Sequence, residues 1–181
     1  MKIRTLVLAV TAALAANSAF ALTPAEITTA RNAATLHEVW MSGASATTRN
    51  TFEGFKADCT DAVHIYTSDA TGTVPGSAGD FLAYACTTAT LGKTVMYHTV
   101  AGGSFNAFAP HVVGAQLNRV KRPDDNAACV VNGGNPLVYN SCTNINPVAT
   151  PDTAVNKPDG GVSDVDSPLF QDLFVTAPSS V

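Results

Sequence analysis

The stretch Leu36-His37-Glu38-Val39-Trp40-Met41-Ser42-Gly43-Ala44-Ser45-Ala46-Thr47-Thr48-Arg49 decides how the rest of the chain is read. Leu36–Met41 places Val39 and Met41 on one face and Trp40 on the other, which predicts a strand buried on both sides, as in a parallel sheet. Ser42-Gly43 breaks that strand. Helical spacing then resumes, with Ser45 as the expected N-cap and Phe52, Phe55 and Cys59 on one face, where they should pack on the sheet. A strand that yields to a helix across small residues aims free backbone N–H groups at one point, at the positive end of the helix dipole. Small hydroxyl side chains there leave room for an anion.

Two further turns carry the same chemistry, Gly102-Gly103-Ser104 and Gly161-Val162-Ser163-Asp164. The first follows a strand candidate, Thr94–Val100, and Val162–Val165 itself reads as a short strand end. Between the turns, Val63–Thr67 alternates like a strand and Ser68–Asp80 is a Gly/Ser/Thr-rich loop. Phe81–Cys86 fits either strand or helix, because its alanines blur the alternation. Phe105–Val120 has helical spacing that Pro110 shortens or kinks, Asn144–Gly161 is mostly loop, and Ser167–Leu173 starts a last helix. At the other end, Thr23-Pro24-Ala25-Glu26 has a capping hydroxyl, a first-turn Pro and a Glu three residues after the cap, predicting a helix over Pro24–Ala34. Strands alternating with helices give an α/β class, an open and mainly parallel sheet flanked by helices. In such sheets ligands bind at the carboxyl ends of strands, where all three turns are expected.

The first 21 residues read as a signal peptide. Lys2 and Arg4 form a basic n-region, Leu6–Ala16 is apolar but too short to span a bilayer, and Ala19-Phe20-Ala21 offers a cleavage site. Cleavage near Ala21 leaves Leu22–Val181, 160 residues, expected to be a single α/β lobe in the periplasm or secreted. Cys59, Cys86, Cys129 and Cys142 all fall in that part, and an even count in an exported chain reads as two disulfides. Three connectivities are possible; Cys59–Cys86 and Cys129–Cys142 each close a short loop and are favoured. The second pair brackets Asn132-Gly133-Gly134-Asn135, a strong hairpin signal. The cysteines lack zinc-ligand spacing and no histidine pair accompanies them, so neither metal nor other cofactor is expected. With eight basic against fourteen acidic residues after cleavage and no basic cluster, nucleic acid is not an expected partner. A small anion stays open, since backbone dipoles can hold one in an acidic protein.

The order of these motifs, a strand into G-A-S-A-T-T, a strand into G-G-S-F-N-A, and then G-V-S-D-V-D-S-P-L-F, resembles the first lobe of periplasmic substrate-binding proteins of the phosphate-binding type, with their two-lobed flytrap fold. The resemblance spans roughly residues 36–174. It implies that Ser45 and Ala46 supply a hydroxyl and a backbone N–H, that Ser104 is the second-turn ligand, and that Ser163 and Asp164 form the third, Asp164 accepting the proton of a hydrogenphosphate. It further implies a small oxyanion such as phosphate as ligand and a membrane ABC permease as partner in uptake. Asn106 stands where that family commonly has Gly, the cysteine-bearing segment is an insertion, and the arginine-bearing second lobe is expected to be absent from this chain. An enzyme is not expected: Ser45 and Ser104 are candidate nucleophiles and His37, His64, His98 and His111 candidate bases, but neither serine sits in G-x-S-x-G. The alternative is an exported, disulfide-stapled structural or adhesive domain without ligand.

Overall fold

The computed structural model describes residues 22–72, 79–134, 136–150 and 155–165; the expected signal peptide and the expected helix from Ser167 lie outside them. The chain begins with α1 (Pro24–Asn32), whose start is the predicted capping box: the Thr23 hydroxyl accepts from the Glu26 N–H, and the Glu26 carboxylate accepts from the Thr23 N–H. Strand β1 (His37–Gly43) follows, then a single 3-10 turn over Ser45–Thr47 and α2 (Thr48–Asp58). Next come β2 (His64–Thr67), β3 (Phe81–Thr88) and β4 (Gly92–Thr99). After a 3-10 turn at Gly103–Ala107, the short α3 (Ala109–Val112) leads to β5 (Arg119–Val120), β6 (Val130–Val131), β7 (Leu137–Asn140), β8 (Asn144–Ile145) and β9 (Gly160–Val162).

Seven strands form one sheet in the order β6-β7-β2-β3-β4-β1-β9, while β5 and β8 pair separately. The α/β class holds, but the sheet is mixed, not mainly parallel. β1 runs parallel to both β4 and β9, and β2 parallel to β7, whereas β2–β3, β3–β4 and β6–β7 are antiparallel. The reason is the three-residue link Ala89–Leu91 between β3 and β4: so short a connection permits only an antiparallel partner.

Helices and loops cover both faces of the sheet. Ile27 of α1 packs with Trp40, Tyr66, Ala83, Ala85, Val95, Tyr97 and Val120 on one side. Phe52 of α2 packs with Ile65, Leu82, Tyr84, Cys86 and Met96 on the other, joined by Phe55. The rings of Phe52 and Phe55 lie 5.2 and 6.1 Å from that of Tyr84, as their helical spacing predicted. Strand β3 obscured its own pattern for a packing reason. Ala83 is the cross-strand partner of both Tyr66 and Tyr97, so a small residue is what lets two rings share that face.

Both expected disulfides are present, Cys59–Cys86 fastening the end of α2 to β3 and Cys129–Cys142 closing the β6–β7 hairpin. Two disulfides suggest an oxidising, extracellular environment. Each is worth about 3 kcal/mol by the loop-entropy account. The helix expected over Phe105–Val120 is reduced to the 3-10 turn and one turn of α3, and the chain has returned to strand by Arg119. Arg119 is fully buried, its guanidinium 4.1 Å from the Tyr97 ring and 5.7 Å from Trp40, which turns the periodic tail of that segment into core.

Candidate functional site

Because β4, β1 and β9 are adjacent and parallel, their carboxyl ends emerge on one edge, and each ends in one of the three small-residue turns. The connections leaving β1 and β4 both lead to strands on the β4 side of β1, to β2 and, by way of β5, to β6, and β9 joins the free side of β1 only after β8. The carboxyl ends of adjacent parallel strands are where open α/β sheets bind ligands.

The turns interlock through backbone and side-chain hydrogen bonds. The Ala44 N–H donates to the Val162 carbonyl at 2.8 Å, tying the first turn to the third. The Ser42 hydroxyl donates to the Asn106 carbonyl at 2.8 Å, tying the first to the second. Ser104 donates its hydroxyl to the Asp164 carboxylate, joining second to third. Asp159 fixes the start of β9 from both ends, its carboxylate accepting the Trp40 N–H and its own N–H donating to the Trp40 carbonyl. Glycine is required where the strands meet. A Cβ on Gly43, at φ +131, would lie 2.0 Å from the Val162 carbonyl oxygen, and one on Gly161 would lie 2.2 Å from that of Ala107.

Of the residues expected at the site, Ser104 and Asp164 are therefore in direct contact. Ser163 is beside them, but its hydroxyl is engaged locally with the Val165 carbonyl and N–H. Ser45 and Ala46 are exposed at the start of the first turn. Ser45 is not the N-cap of α2: the 3-10 turn intervenes, and the position before the helix is Thr47, whose side chain makes no capping hydrogen bond. The hydroxyls of Thr47 and Thr48 instead donate back to the carbonyls of Ala44 and Ser45. Among the described residues no side chain caps either helical start; the Thr47 and Thr48 N–H groups donate to the carbonyls of Ala44 and Ser45, while those of Ser45 and Ala46 have no backbone acceptor and can meet one from outside. Asn106 braces the second turn. Its amide donates to the Ala101 carbonyl at 2.6 Å and packs against Gly102, itself at φ +81. The spacing Gly102-Gly103-Ser104-Phe105-Asn106 carried that signal, since an amide four residues after a left-handed glycine can close the turn.

Among the described residues, neither Ser45 nor Ser104 has a histidine as hydrogen-bond partner, and no group of three His, Cys, Asp or Glu is placed to hold a metal. Two cavities of about 310 Å³ lie elsewhere, one bounded by Tyr66, Tyr139 and Pro123–Ala127, the other beside α3 under Val148. Neither is lined by Ser45, Ser104 or Asp164. The three turns together form a ledge at the carboxyl ends of β4, β1 and β9.

Behind the ledge sits His98 on β4, the register partner of Met41 and Leu82. It is 1 % exposed, and among the described residues neither ring nitrogen has a hydrogen-bond partner. Its ring is 6.3 Å from that of Tyr84, whose buried hydroxyl is also unpartnered. Burial pushes the His98 pKa down to about 4 from 6.5. The unfolded chain therefore takes up this proton first as pH falls, and stability that is complete above pH 6.5 is lost progressively toward pH 4. Full protonation of the unfolded state alone is worth about 3 kcal/mol. Urea melts across that window should show a smaller acid loss for His98→Leu than for the parent; equal losses would contradict the assignment.

Compared with known proteins, the chain matches no family model, no curated protein and no solved structure.

Proposed function

We propose that the chain is an exported solute-binding domain that takes a small, protonated oxyanion of the phosphate type at the turns after β1, β4 and β9. The observation that carries this reading is the Ser104–Asp164 hydrogen bond across two turns that are distant in sequence and adjacent in space. A hydrogenphosphate can exchange into that pair: its P–OH donates to Asp164, and the released Ser104 hydroxyl turns to donate to a phosphate oxygen. The N–H groups of Ser45 and Ala46 then supply further donors at the uncapped start of the 3-10 turn and α2. A carboxylate in that position discriminates by protonation, because sulfate at neutral pH has no proton to give and would meet a like charge. The phosphate-binding flytrap resemblance supports the same assignment, with periplasmic location and an ABC permease as the corresponding partner.

Thermal unfolding with phosphate and with sulfate tests it. A ligand at a hundred times its Kd stabilises by about 2.7 kcal/mol, so phosphate should raise Tm and sulfate should not, and Asp164→Asn should abolish the difference. No shift at millimolar phosphate would sink the proposal.

One observation favours the structural or adhesive alternative. The hydroxyls of Ser42, Thr47, Thr48, Ser104 and Ser163 all have protein acceptors, as expected of turns that hold each other in place. Under that reading Asp164→Asn lowers Tm equally with and without anion.

A further inference from the structure

We infer that Asn132 is a site of spontaneous covalent modification, a deamidation centre at the tip of the disulfide-closed β6–β7 hairpin. The chain has one Asn-Gly pair, Asn132-Gly133, and the structure places it where the reaction is least hindered. Both residues are exposed. Gly133 sits at φ +64, and among the described residues nothing but its chain neighbours lies within 4 Å of the position a Cβ would take. The Asn132 N–H is held by the Val138 carbonyl at 2.8 Å and the Gly133 carbonyl accepts from Val138. The Gly133 N–H has no backbone acceptor among the described residues, and that nitrogen is the nucleophile.

The chemistry balances without any partner but water. The Gly133 nitrogen, on losing its proton, attacks the Asn132 side-chain amide carbon. The C–N bond to the amide breaks, ammonia leaves with that proton, and a five-membered succinimide remains. Water then opens the ring at either carbonyl, giving aspartate or isoaspartate and one new negative charge. Gly favours the step because it has no Cβ to obstruct ring closure.

Other asparagines lack one of these conditions. Asn126 is nearly buried, its amide bonded at both ends to Thr143. The Asn140 amide donates to the Asp69 and Gly72 carbonyls. Asn146 precedes Pro147, which has no N–H to lose. The Cys129–Cys142 bridge keeps the hairpin closed after the tip has changed, so the product should accumulate in folded protein.

The test is peptide mass spectrometry of the intact, disulfide-bonded protein after incubation at mildly alkaline pH. The peptide containing Asn132 should acquire the amide-to-acid mass increase before any other, split into aspartate and isoaspartate forms. Its rate should rise with pH. Asn132→Gln, which keeps an amide but needs a larger ring, should lose the signal, and Gly133→Ala should slow it sharply. Conversion that begins at another asparagine, or none at Asn132 in the parent, would overturn the inference.

Discussion

Arg31→Ala is expected to lower the unfolding free energy by about 3–5 kcal/mol, the range for removing one partner of a buried ion pair. Arg31 lies in the last turn of α1 and binds two carboxylates from different parts of the chain. Its Nη1 and Nη2 reach Glu38 on β1, and Nε and Nη2 reach Asp124 at 3.1 and 3.0 Å. The side chains are 19, 12 and 5 % exposed for Arg31, Glu38 and Asp124, so truncation leaves two carboxylates largely out of water. Glu38 also accepts the Tyr97 hydroxyl at 2.8 Å, which carries the damage into β4. Burial alone would lower the Arg31 pKa, but the hydrogen bonds to Asp124 and Glu38 raise it instead. Arg31→Met, which keeps the aliphatic stem, should lose nearly as much in urea melts. A loss under about 1 kcal/mol would place the pair among solvated surface bridges and refute this means of fastening α1.

Gly161→Ala is the second large effect. The new Cβ would stand 2.2 Å from the Ala107 carbonyl oxygen and 2.4 Å from its Cα, and because these atoms are backbone there is no flexible end to yield. Overpacking of this kind costs about 1–3 kcal/mol, and relief requires β9 to move off the Gly103–Ala107 turn. That motion separates Asp164 from Ser104. Gly54→Ala, where nothing lies within 4 Å, is the control and should stabilise α2 by about 1 kcal/mol. If Gly161→Ala unfolds like the parent, the turns do not interlock as described.

The parts of the structure that local rules govern were legible in the residues. The Thr23–Glu26 cap, the two-faced strand before Gly43, the phenylalanine stripe of α2 and the Asn132-Gly133 hairpin each announce themselves within a few positions. Sheet direction was less legible, because the Thr88–Gly92 turn follows β3, whose burial on both faces erased the period-two signal, and carries threonine and alanine in place of an Asn-Gly or Asp-Gly hairpin signal. The segment from Phe105 misled for a related reason: its apolar spacing serves a 3-10 turn, one turn of helix and a core strand in succession, and Pro110 marks where helix fails. At the site, the turn residues could be named, but their closeness depends on β4, β1 and β9 lying side by side, a long-range fact no local pattern carries. The interlocking roles of Ser42, Asn106 and Gly161 follow only from that adjacency.

The most direct measurement is amide NMR of the protein titrated with phosphate. Binding at the three turns predicts concentration-dependent shifts confined to Ser45, Ala46, Ser104, Ser163 and Asp164, weakened in Asp164→Asn and absent with sulfate. Shifts elsewhere alone, for example at the cavity beside Tyr139, or none at these five positions at millimolar phosphate, would contradict it.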